Sequence, residues 1–192
     1  MTATPDRRSG VAALLDRHRA ADPREQGFVD AMRALLDAPG DPFGRSRFEP
    51  GHFTASAFVT APDGGSVLLV HHGKLHRWLQ PGGHFEPDDV DLFAAVRREI
   101  AEETGIVDVS LPDGAALLDV DIHEIPPLKG DPAHRHYDLR VHLRAATLAF
   151  TAGSDARAAK WVALDAVREA ESDPSVMRAI TRLIRARART GT

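Results

Sequence analysis

The 192-residue chain contains no cysteine. That one absence excludes disulfides, thiolate metal sites and cysteine nucleophiles together. No apolar run approaches the length needed to cross a bilayer. The first residues, Met1 to Arg8, lack the apolar stretch of a secretory signal, so the expected location is the cytoplasm and no membrane is expected as a partner. A large charge of one sign is also missing: 24 basic residues stand against 28 acidic ones, a net charge of −4. That balance gives no electrostatic reason to expect a nucleic acid polymer as partner, although local basic groups can still grip a few phosphates. What is present is 43% hydrophobic residues, enough for one good core with a small appendage, and a charged fraction of 27%, that of an ordinary globular protein.

The first fifty residues read as helical. Val11, Leu14, Leu15 and His18 fall at helical spacing. Asp22-Pro23-Arg24-Glu25 is a capping-box pattern with proline at the first helical position. Phe28, Met32, Leu35 and Leu36 supply an apolar stripe, and Pro39-Gly40-Asp41-Pro42 ends it. Residues 1–50 are therefore expected to form a helical extension that packs onto the main domain, residues 51–192, or onto a partner subunit. Homodimerisation through it is left open.

From His52 the period changes to two. Phe53, Ala55, Ala57 and Val59 alternate with Thr54, Ser56 and Phe58, as in a half-buried strand. Pro62-Asp63-Gly64-Gly65 turns the chain into Ser66–His71, whose Val67-Leu68-Leu69-Val70 core predicts a strand buried on both faces. A glycine-rich loop is expected over Gln80–Asp89, then a helix over Asp91–Thr104 closed by Gly105. Strands are expected at Leu117–Ile125 and Arg135–Arg144, and a last helix from Pro174 with Val176, Ile180, Leu183 and Ile184 as its stripe. On Arg135–Arg144, Tyr137, Leu139, Val141 and Leu143 face one way, and His136, Asp138, Arg140, His142 and Arg144 the other.

Chemistry concentrates in Pro81–Ile106. At about 100° per residue, Leu92, Phe93, Val96 and Ile100 define one apolar arc of the helix, and Glu99, Glu102 and Glu103 gather at its C-terminal end. Glu99 and Glu103 are a like-charge i,i+4 pair, and all three carboxylates crowd the end where the helix dipole disfavours negative charge. Two local rules are broken at one place. Either a hard divalent cation, which takes oxygen ligands, or a nearby arginine (Arg97 or Arg98) compensates; the bland alternative is a solvated acidic face. Pro81-Gly82-Gly83 lies directly upstream, a backbone able to turn sharply and approach a ligand closely.

This segment resembles the Nudix box, G-x5-E-x7-R-E-U-x-E-E-x-G-U, with U aliphatic. Gly83 matches the opening glycine, and Arg98, Glu99, Ile100, Glu102, Glu103, Gly105 and Ile106 match the second half position for position. The first glutamate is replaced by Asp89, and eight residues rather than seven separate it from Arg98. Trp78 to Gly83 and Trp161 to Leu164 are also similar to family features. The resemblance covers about His52–Arg168. It implies an α/β/α sandwich with a mixed β-sheet, and an enzyme that cuts a phosphoanhydride bond. It also implies Mg²⁺, with Mn²⁺ as a substitute, held by Glu99, Glu102 and Glu103 with the Gly83 carbonyl. Glu99 or Glu102 would serve as general base, and Arg98 would orient a glutamate.

The expected substrate is a nucleoside diphosphate-linked compound: ADP-ribose, a nucleotide sugar or a nucleotide. Arg77, His84, Tyr137 and Arg140 are candidate substrate contacts, and Tyr137 and Trp78 candidate stacking partners for a base. The competing reading is a catalytically silent nucleotide sensor, against which the intact glutamate set counts. An isomerase of the same fold is excluded by the missing cysteine. Ten histidines raise a second metal reading. His134 and His136 share a strand face, and His71, His72, His76 and His84 flank the glycine loop, yet no spacing matches a familiar zinc pattern. Several of these, with Arg77, Arg135 and Arg140, are expected either to line a polar cleft that meets phosphate or sugar or to form a solvated strand face.

Overall fold

A computed structural model describes residues 6–73, 76–112, 114, 116–128, 130–151, 156–168 and 171–190. Helices α1 (Arg7–Arg17), α2 (Pro23–Asp37), α3 (Leu92–Thr104) and α4 (Pro174–Thr190) accompany strands β1 (His52–Thr60), β2 (Ser66–His72), β3 (Arg77–Leu79), β4 (Gly82–His84), β5 (Val109–Ser110), β6 (Leu117–Ile125), β7 (His134–Ala145) and β8 (Ala156–Ala163). The strands form a mixed sheet in an α/β fold, in the order β3-β2-β1-β7-β5, with β4 on β1, β6 on β7 and β8 on β2. No helix among the described residues is long and apolar enough to cross a membrane.

The chain forms two compact units. The first comprises Met1–Ser56, Gly83–Val96 and Ala115–Arg140; the second comprises Ala57–Gly82, Arg97–Gly114 and Val141–Thr192. Strands β1 and β7 and helix α3 run through both.

In the first unit α2 starts where its capping pattern places it, and α1 has an aspartate cap as well. Asp6 caps α1 through the Arg8 amide, and Asp22 caps α2 through the Glu25 amide at 2.9 Å. Glu25 reaches back past its cap to the Ala21 amide and to His18 Nε2. Val29, Met32, Leu35 and Leu36 are the buried stripe of α2; Phe28, expected in it, is half-buried beside Val29. Phe43, in the segment after α2, is clasped between Phe53 and Phe85, with centroids 5.4 and 4.9 Å away.

Gly51 enters β1 at φ +135°, where a Cβ would stand 2.1 Å from the Arg135 carbonyl oxygen. Only glycine fits there. Gly51→Ala is expected to cost about 1–3 kcal/mol, from strained backbone and the forced retreat of Arg135. Chemical denaturation that finds the variant as stable as the parent would contradict this.

β1 departs from the sequence expectation in an informative way. All nine of its residues are buried, not one face alone. Its polar members are satisfied internally: Thr54 and Ser56 donate to Asp138 in the first unit, and Thr60 bonds His142 and the Leu143 carbonyl in the second. Alternation shows that a strand has two unlike faces; it does not show whether water or protein covers the polar one.

In the second unit β2 is central, as its apolar run predicts. β8 pairs along it antiparallel from Ser66↔Ala163 to His72↔Ala156, and β3 pairs on its other edge, His71↔Trp78. The expected loop Gln80–Asp89 therefore contains a short strand, Gly82–His84, and a second short strand, β3, stands just before it. On α4, Val176, Ala179, Ile180 and Leu183 are buried while Ile184 is 43% exposed, so the stripe is one position shorter than expected.

Candidate active site

Helix α3 starts cleanly despite the irregular spacing before it. Asp91 Oδ1 accepts from the Ala94 amide at 2.7 Å and caps the first turn. Just upstream, the Asp89 carboxylate accepts from the Glu86 amide at 2.7 Å while the Asp89 amide donates to the Glu86 carbonyl. Asp89 is 6% exposed and closes a turn. The extra residue is absorbed in this turn, so the helix that follows keeps its register.

At the other end of α3, in the second unit, the carboxylates meet specific partners. Arg98 Nη1 lies 2.9 Å from Glu99 Oε1 and 3.2 Å from Glu102 Oε2, so one guanidinium spans both. Glu103 Oε2 accepts from the Gly82 amide at 3.1 Å. Glu99 and Glu103 are half-buried, and the Glu102 side chain is 60% exposed. Taken together, the four side chains carry a formal charge of −2 at the negative end of a helix. Arg98 answers the compensation problem in part; Arg97, the other candidate, is exposed. The helix ends on Gly105 at φ +68°, whose amide reaches the Ala101 carbonyl, while the Thr151 amide satisfies the Thr104 carbonyl.

The donor set suits a hard divalent cation: carboxylate oxygens only, two of them half-sheltered, with a net negative charge that such an ion matches. Gly83 follows Gly82 as the middle residue of β4 and is half-buried.

Of the expected substrate contacts, Arg77 belongs to the second unit and His84, Tyr137 and Arg140 to the first. Arg77 lies on β3 with Nη1 donating to the Ser172 carbonyl, and the Ser172 hydroxyl donates to the Trp78 carbonyl. Lys160 Nζ sits 4.0 Å above the Trp78 ring, occupying one face of it. Tyr137 is placed in the interior, 4% exposed, edge-on to Phe53. Arg140 is placed there too, 2% exposed, with Nε 2.8 Å from Asp138, Nη1 3.2 Å from Asp119 and Nη2 3.4 Å from Asp121. Burial works against its charge, but the three aspartates hold the guanidinium protonated above its ordinary range. The polar face of β7 is therefore a buried ion network at this point, neither the cleft nor the solvated face that alternation suggested.

His84 joins a group the sequence did not reveal. His52, His84 and His136, from β1, β4 and β7 in the first unit, place ring nitrogens within 4.8 Å of one another. In the sequence His52 marks only the change of period at the start of a strand. No local spacing could have flagged it, because the three residues come from three separate strands.

Residues 50–183 match the NUDIX domain family. The chain belongs to the Nudix family. The match spans the strands, α3 and most of α4, and as a member of that family the chain is a pyrophosphohydrolase. A Nudix-family hydrolase from Clostridium perfringens is 24% identical, with 70% of this chain covering 97% of that one at a TM-score of 0.50. An Ap4A hydrolase from C. elegans is 19% identical, over 73% of this chain and 98% of that one, TM-score 0.51. The E. coli dihydroneopterin triphosphate pyrophosphohydrolase is 18% identical, over 69% and 95%, TM-score 0.54. These structures share the fold. No curated protein matches the sequence.

Proposed function

We propose that this Nudix enzyme hydrolyses the diphosphate linkage of a nucleoside diphosphate derivative, such as ADP-ribose or a nucleotide sugar, using Mg²⁺ held by Glu99, Glu102 and Glu103. The observation that carries the reading is the end of α3, where Arg98 spans Glu99 and Glu102 and the Gly82 amide holds Glu103. The ion, when bound, neutralises phosphate charge and lowers the pKa of a coordinated water.

The chain's own residues do the rest. Arg98 fixes two carboxylates by charge-assisted bonds and spares them the rotamer search before each turnover. Gly82 anchors the third through its backbone. Of the two glutamates on Arg98, Glu102 is open to solvent, so we assign it as acceptor of the proton released by the attacking water. Arg77, a cation on β3 in the same unit, is assigned to the substrate phosphates, whereas burial of Tyr137 and Arg140 favours interior roles for both. Residues 1–50 form the extension and 51–192 the catalytic domain in this reading, with the enzyme in the cytoplasm.

The solved structures of similar fold include enzymes named for Ap4A and for dihydroneopterin triphosphate, so the test is a panel. ADP-ribose, a nucleotide sugar, a nucleoside triphosphate and a dinucleotide polyphosphate are incubated with the full chain and Mg²⁺. Products are then identified by phosphorus NMR. Cleavage of a nucleoside diphosphate derivative into two phosphomonoesters, abolished by chelation, is the expected result. Tight binding without turnover across the panel would establish the sensor reading instead.

A further inference from the structure

Five histidine rings gather in the first unit: His52, His84, His123, His134 and His136, with neighbouring centroids 4.9–5.5 Å apart. Within this group the ring nitrogens of His52, His84 and His136 converge to within 4.8 Å of one another. Two of those rings carry an anomaly. His52 Nε2 and His136 Nε2 are both buried and have no hydrogen-bond partner in the protein. Burying such an atom without a partner is costly, so two in one cluster demand a physical reason.

The surroundings supply one. His52 is fully buried, and its Nδ1 stands 2.9 Å from the Arg47 carbonyl. A carbonyl can only accept, so Nδ1 carries the proton and Nε2 presents its lone pair to the cluster. A backbone carbonyl that fixes the tautomer in this way is the usual outer support of a metal-binding imidazole. Three imidazole nitrogens with no oxygen donor among them favour a borderline transition ion over Mg²⁺.

We propose that His52, His84 and His136 form a second cation site, built for a transition ion of the Zn²⁺ type and chemically distinct from the glutamate set of α3. Nitrogens bound at 2.0–2.1 Å to a tetrahedral ion are about 3.4 Å apart, so the triad closes on the ion by a modest contraction. Three protein ligands leave a fourth position for water or a substrate oxygen. Asp121, 3.2 Å from His123, whose ring is 5.5 Å from His136, adds negative charge at the edge of the cluster.

The probe is Co²⁺, added to the metal-free 192-residue chain and followed by its visible ligand-field absorption. The site predicts saturation at one ion per chain with the strong absorption of a low-coordinate, nitrogen-rich complex, displaced by Zn²⁺ and unaffected by excess Mg²⁺. His84→Gln, at a half-buried position, should weaken Co²⁺ binding by on the order of 100-fold, since losing even an outer partner of a metal ligand costs 10–100-fold. Circular dichroism checks that the variant folds. Glu102→Gln should leave the Co²⁺ spectrum as it is. A weak six-coordinate spectrum or none in the unmodified chain, displacement by Mg²⁺, or a signal lost in Glu102→Gln but kept in His84→Gln would overturn the assignment.

Discussion

Glu102→Gln is expected to lower kcat by about 10²–10⁴-fold, the contribution of a positioned acid–base carboxylate, equivalent to about 3–5 kcal/mol of barrier. The amide keeps the size of the side chain but can neither accept a proton nor carry the negative charge that a divalent ion requires. The fold should hardly notice. The Glu102 side chain is 60% exposed and pairs with Arg98 at i−4. Such an exposed helical pair contributes only about 0.3–0.5 kcal/mol. Steady-state kinetics and thermal melting of the same preparation separate the two effects: a large loss in kcat with an unchanged Tm. Near-normal turnover would remove Glu102 from the mechanism.

The second large effect is on stability. Arg140→Met should destabilise the protein by about 3–5 kcal/mol, because it leaves buried Asp119, Asp121 and Asp138 without the cation that bridges them. In a chain of this size that corresponds to a fall in Tm of about 6–20 °C. The cost comes from stranded charge rather than from lost volume, so adding Asp138→Asn to the variant should restore part of it; the two residues are in direct contact and their effects are not additive. A melting temperature within about 2 °C of the parent would show that the network is dispensable.

These two sites differ in how far the sequence discloses them. The end of α3 is legible because everything that builds it is local: the spacing of Arg98, Glu99, Glu102 and Glu103 fixes their places on one helix, and helical geometry does the rest. The irregular stretch before it is less so. That Asp89 closes a turn on Glu86, while Asp91 caps the helix, depends on backbone bonds that residue spacing does not specify.

Arg140 was legible as a member of a polar strand face and illegible as a buried one. The three aspartates that neutralise it come from two strands, and their pairing is a property of the sheet. The same holds for His52, His84 and His136. Periodicity located β1 and β7 and the glycine segment correctly, but the convergence of one ring from each exists only once the strands are aligned. Short strands such as β3 and β4 were missed for a related reason: three residues carry too little period to be read, and β3 is a strand through its register with β2.

The proposed catalysis requires the α3 carboxylates to hold the divalent cation. Mn²⁺ binding, followed by electron paramagnetic resonance in a His84→Gln background that takes the imidazole cluster out of play, tests it most directly. Mn²⁺ should bind in that background and lose affinity by at least about 100-fold when Glu99, Glu102 and Glu103 are all changed to glutamine, with circular dichroism unaltered. Undiminished Mn²⁺ binding in the folded triple-glutamine chain would contradict the account.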